Sequence, residues 1–350
     1  MSVAFALAGL GGLNAHGAGF LDTARAWGVT PDLVTATSGQ ILVLAEWLQG
    51  HDLRALLVSP EAENNPVAQA RTVLFGYPGV FRPAYAEALF RLAAVPDWSE
   101  GLLNVVADRL VPAQQYVPVR SDDELAHVAT VLNESATGVV FNTYDPRSGV
   151  GLLYGNDVAR RLLPEQKSIP NTRAAAALRS AAKRDLRYAS DVVQERKILP
   201  ITVGAIKSAL WLSLYGFKNL PGGQMDGAYH RACIVSELHG FERIFAVRPL
   251  ANGWQGQAPA NWFEVQDWTY EMWFSVGYKA EVDTLKRIND LIASGALTDP
   301  KYKPVELIEI QPATPAGYFN YFVERGEVYQ NAVKATELKF KELELTKPAG

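Results

Sequence analysis

Apolar residues along the chain group in two ways. Short unbroken apolar runs predict buried strands over 3–8, 33–36 and 243–249, the last ended by Pro249. Apolar residues at three- and four-residue intervals predict helices over 17–27, 41–48, 84–92, 102–110, 174–183 and 205–215. In the first of these, Phe20, Leu21 and Ala24 share a face. Residues 137–144 and 150–154 flank Asp145-Pro146-Arg147-Ser148-Gly149, which spacing and turn chemistry make a hairpin. Residues 234–238 form a further short apolar stretch. The span 263–294 places Trp268, Met272, Val276, Leu285, Ile288 and Ile292 at helical spacing, enough for one or two helices. Residues 304–310 alternate as a strand, and 321–345 is amphipathic and charged, as a surface helix is.

Strand, glycine-rich turn, helix, strand is the order over 3–36, a unit that implies a parallel sheet with helices on its faces. The expected class is α/β with a mostly parallel central sheet. A stretch rich in Gly, Gln, Asn and Pro over 251–260 reads as a linker. It divides a main domain over 1–250 from a C-terminal helical extension over 251–350 packed on it.

At 350 residues and 48% hydrophobic, the chain can bury a substantial core. Its 33 basic and 37 acidic residues give a formal charge of -4, so no positive field invites nucleic acid. One cysteine, Cys233, excludes an intramolecular disulfide framework and a cysteine-cluster metal site; it reads as a small buried side chain. The apolar N-terminus lacks the basic residues of a signal peptide, since no Lys or Arg precedes Arg25. Without a run long enough to span a bilayer, the expectation is a cytoplasmic protein, with peripheral membrane contact left open.

Candidate chemistry enters at two places. The run at 33–36 stops at Thr37-Ser38-Gly39-Gln40, and a helix follows at once. Strand, sharp turn, helix is the layout of a nucleophile elbow, which lifts a serine hydroxyl out of a sheet. A serine hydroxyl is a weak nucleophile without a base in reach and donors for the oxyanion. Asp226, beside Gly227 and Ala228, is the candidate base. Gly39 and the turn holding Gly11, Gly12 and Leu13 are the candidate oxyanion donors, since a parallel sheet brings the turns after its first two strands to one edge. Each residue also has a plainer reading: Ser38 as a helix N-cap, Asp226 as a turn aspartate.

The turn at 9–14 also fits a dinucleotide loop, with Asp32 as ribose ligand, though Asp32 precedes its strand rather than ending it. None of His16, His51, His127, His230 and His239 pairs with another at metal-ligand spacing. His230, four residues beyond Asp226, leaves a Ser-His-Asp variant open, and His16, near the glycine turn, is a candidate to line the pocket. The aromatics Trp262, Phe263, Trp268, Tyr270, Trp273 and Phe274 fit core packing better than an acyl-chain grip.

The ordered set, a glycine-rich turn at 9–14, an elbow at 36–40 and Asp226-Gly227-Ala228, resembles the patatin-like phospholipases. Residues 140–149 resemble that family's hairpin and 205–209 the helix before its aspartate. The stretch from Trp262-Phe263-Glu264-Val265-Gln266-Asp267 onward resembles the extension of a bacterial subgroup. The resemblance implies a three-layer α/β/α fold and a Ser38 and Asp226 dyad acting on acyl lipids or other carboxylic esters. It implies no metal and no cofactor. The elbow here is Ala-x-Ser-x-Gln instead of Gly-x-Ser-x-Gly, with Gln40 at the last place, and Asn14 stands where the glycine turn ends in glycine. These departures raise the rival expectation of a weak or inactive module that binds lipid or a protein partner.

Overall fold

The computed structural model describes residues 1–9, 14–58, 75, 80–95, 99, 101–110, 113–163, 198–250, 253, 258–299, 302–312 and 326–348. The first unit is β1 (Val3–Leu7), α1 (Asn14–Ala26), β2 (Leu33–Ala36) and α2 (Gln40–Leu48). The short α3 (Leu53–Leu57) follows. A hairpin of β3 (Phe81–Pro83) and β4 (Tyr116–Pro118) forms a separate two-stranded sheet around α4 (Tyr85–Ala93) and α5 (Leu102–Leu110).

Next come α6 (Asp122–Glu134), β5 (Gly138–Asp145), β6 (Val150–Gly155), α7 (Asp157–Leu162), β7 (Ile198–Pro200), α8 (Val203–Ala209) and β8 (Met225–Asp226). The chain closes with β9 (Arg243–Val247), α9 (Trp262–Ala293), β10 (Glu306–Ile310) and α10 (Gly326–Glu342).

The central sheet runs β10-β9-β1-β2-β5-β6-β7, with β8 added beside β5. The pairs from β10 to β5 are parallel; β6 and β8 run antiparallel to β5. The class is therefore α/β with a mostly parallel sheet. Alternation along β1 sorts two cores. Phe5 and Leu7 meet α1, α2, α6 and α10, while Ala4 and Ala6 meet α9 and the segment around Cys233. Cys233 is buried, as expected.

Several elements depart from the sequence reading. The helix expected over 205–215 stops at Ala209: the Ser213 N–H, which would continue it by donating to Ala209 O, donates to the Tyr229 hydroxyl instead, and Trp211 O accepts the Asp226 N–H. The expected helix over 174–183 lies outside the described residues. Helix α6 was not foreseen, yet Ser121 and Glu124 make a reciprocal capping box, a legible start signal. The C-terminal stretch is more than helical. It supplies β10 as the sheet's edge strand, and α10 packs against α1 with Phe340 fully buried. Residues 262–293 form one helix, on which Trp268 and Trp273 are exposed and do not serve as core. No helix among the described residues is long and apolar enough to cross a membrane.

Candidate functional site

β2 ends opposite Phe141 of β5, at Ala36. Further along the same edge of β5, Asp226 of β8 stands opposite Thr143, while β6 occupies the other edge. β8 thus takes up the edge where β2 leaves it. Between them the chain of β2 turns through Thr37 and Ser38 into α2. This register sets Asp226 beside the turn.

Ser38 Oγ donates a hydrogen bond to Asp226 Oδ2, and the other carboxylate oxygen accepts the Ala228 N–H at 2.8 Å. Ser38 is one of two described non-glycine residues at positive φ, +57°. That left-handed conformation costs an L residue roughly 1–2 kcal/mol. It is held because β2 pairs on both sides before the turn and α2 begins right after it. Gly9 makes the close approach possible: a Cβ there would lie 1.9 Å from Thr37 O. The Gly9 N–H donates to Ala232 O at 3.1 Å, tying the glycine turn to the segment that follows the aspartate. Gly11, Gly12 and Leu13 lie outside the described residues. Gly39 is half-buried, and its N–H donates to no described residue.

Asp226 sits beside an apolar cluster of Phe81, Tyr116, Trp211, Tyr215 and Met225. Burial there pushes its carboxyl up to about 7, against the hydrogen bonds from Ser38 and Ala228 that favour the charged form. A carboxyl at that value takes and returns a proton near neutrality. Asn142 is a residue the sequence reading missed. Buried on β5, it donates through Nδ2 to Gly227 O at 3.1 Å and Arg231 O at 2.8 Å. A Cβ on Gly227 would meet the Asn142 amide at 2.3 Å, so glycine after the aspartate is required by packing. Arg231 in turn pairs with Glu237 and with Glu281 of α9, which holds this segment against the long helix.

Gln40 is fully buried and lies over Gly17 of α1, where a Cβ would stand 2.1 Å from Gln40 Oε1. A glycine on the facing helix thus makes room for this side chain, and the turn keeps its positive φ. His230 stacks on Tyr144, with ring centroids 5.6 Å apart, and is not a hydrogen-bond partner of Ser38 or Asp226. His16 does not face the site. Its Nε2 meets Ile310 O at 3.2 Å, and burial holds its imidazole down to about 4, neutral at pH 7. Asp32 accepts the Val3 N–H at 2.8 Å, at the opposite end of β1 from Gly9. It cannot serve a dinucleotide bound at that turn. The chain matches no protein-family model and no curated protein.

Proposed function

We propose that the protein is a serine hydrolase of carboxylic esters working through a dyad of Ser38 and Asp226. The hydrogen bond from a left-handed elbow serine to a buried carboxylate with raised proton affinity carries this reading. Asp226 takes the Ser38 proton as Oγ attacks the ester carbonyl. The carbonyl electron pair moves onto oxygen and forms an oxyanion. Collapse breaks the bond to the alkoxy oxygen, which leaves with the proton from Asp226. Water then attacks the acyl-serine with Asp226 again as base, and the acid leaves. The resemblance to patatin-like phospholipases, with their three-layer fold, makes acyl lipids the substrate class. The capacity of Gly17 to house Gln40 supports activity over the inactive-module reading.

The test is a fluorophosphonate probe with p-nitrophenyl esters of increasing chain length. Wild type is expected to label and turn over; Ser38→Ala and Asp226→Asn are expected to lose labelling and at least about 1,000-fold in kcat. Labelling that survives Ser38→Ala removes the nucleophile. A wild type that neither labels nor hydrolyses any ester makes the protein a binding module.

A further inference from the structure

We infer that the side-chain amide of Asn14 is an oxyanion donor, acting with the Gly39 N–H on the tetrahedral intermediate at Ser38. This rests on the ester-hydrolase reading above and assigns a role to a residue that otherwise looks like a defect in the glycine turn. Asn14 opens α1, directly over the elbow. A Cβ on Gly39 would lie 2.2 Å from Asn14 Nδ2. Because a Cβ stands about 2.5 Å from its own backbone nitrogen, Nδ2 lies within about 4.7 Å of the Gly39 nitrogen. Two donors that close can share a single acceptor oxygen about 2.9 Å from each.

Among the described residues, neither donor is engaged: neither Asn14 Nδ2 nor the Gly39 N–H donates to any of them. Asn14 Oδ1 is buried without a partner among the described residues, and Nδ2 is the amide atom nearer to Gly39. Around the elbow, Thr37, Ser38 and Gln40 are buried while Asn14 and Gly39 are half-buried. An ester approaching Ser38 therefore passes these two residues. Gln40 fixes the arrangement from beneath, its Nε2 donating to Asn14 O at 3.3 Å. The two departures from the glycine pattern form one unit: Gln40 is a positioning residue for Asn14, and Asn14 supplies a side-chain donor. As the Ser38 Oγ to carbon bond forms, the carbonyl π pair becomes an alkoxide, and an N–H aimed at that charge strengthens in the transition state.

The opposite geometry, an amide that occupies the space and blocks the oxyanion, makes the opposite demand on mutants. Asn14→Gly and the uncharged, similarly branched Asn14→Leu are compared with wild type in kcat, KM, fluorophosphonate labelling rate and melting temperature. Both are expected to lower kcat about 100-fold with KM within about threefold, and to slow labelling to match. Asn14→Leu keeps a branched side chain of similar shape without a donor or a charge, so a packing role alone would leave its kcat near wild type, and that result overturns the proposal. Equal or faster turnover by Asn14→Gly overturns it as well and marks the amide as an obstruction. In either case wild-type labelling at Ser38 leaves the hydrolase reading standing. A wild type with no labelling and no turnover removes both.

Discussion

Asp226 combines two demands that oppose each other. Its environment favours the protonated carboxyl, yet as the proposed base it must be ionised to accept the Ser38 proton. With the carboxyl pushed up to about 7 by burial, kcat/KM for ester hydrolysis is expected to rise with pH through that value. A profile flat from pH 5 to 8 would count against Asp226 as base. Stability moves the other way. A carboxyl raised above its unfolded value favours the fold most below about 4, and that contribution is lost as pH climbs through about 7. The span from 3.8 to about 7 corresponds to roughly 4 kcal/mol. Asp226→Asn is therefore expected to be inactive and more stable than wild type at pH 8, with the gain shrinking toward pH 4 in urea titrations. Under the proposed hydrolase mechanism, the proton affinity that makes this carboxyl destabilising is what the chemistry uses.

At the level of elements, the elbow stands on the contact between α1 and α2. Gly17 and Gln40 are complementary in volume, and neither residue by itself reveals it. Gly17→Ala adds helix propensity worth about 1 kcal/mol, but its methyl would stand 2.1 Å from a buried amide oxygen. Overpacking of that kind costs roughly 1–3 kcal/mol, so the single variant is expected to be destabilised. In a Gln40→Ala background the obstruction is gone, and the same substitution is expected to stabilise by about 1 kcal/mol. A double-mutant cycle from denaturant midpoints measures the sign change. Additive effects would mean that the two helices do not meet as described. The β8 register is the other element-scale device. By occupying the β5 edge past the end of β2, it sets Asp226 beside the turn without any loop having to find it.

Across the whole molecule, the C-terminal residues belong to the same core as the first strand. Phe340 meets Phe20, Trp27 and Phe245 with ring centroids between 5.5 and 6.5 Å, mostly edge-on. Tyr329, on the same helix face, donates to Asp22 of α1 at 2.8 Å. Phe340→Ala is expected to cost about 3–5 kcal/mol, read as a shift in the urea midpoint of the far-UV circular dichroism transition. A cost under about 1 kcal/mol would make α10 a peripheral cover. Because β10 pairs with β9, and β9 with β1, the residues after 300 complete the sheet that carries the elbow.

Much of this was legible from residue order. The strands at 3–8 and 33–36, the hairpin across Asp145 to Gly149, and the candidacy of Ser38 and Asp226 follow from local periodicity, turn chemistry and the small residues of the elbow, all short-range properties. The partnership of Ser38 with Asp226 does not, because 188 residues separate them and only the pairing of β8 with β5 closes that distance. Nor do the contacts of Gln40, Asn14 and Asn142, whose partners come from other elements. The raised proton affinity of Asp226 depends on the apolar residues packed around it, and the burial of α10 on where its amphipathic face lands. Periodicity states that a face is apolar; which surface it meets, and what a buried polar group finds there, is settled by long-range packing.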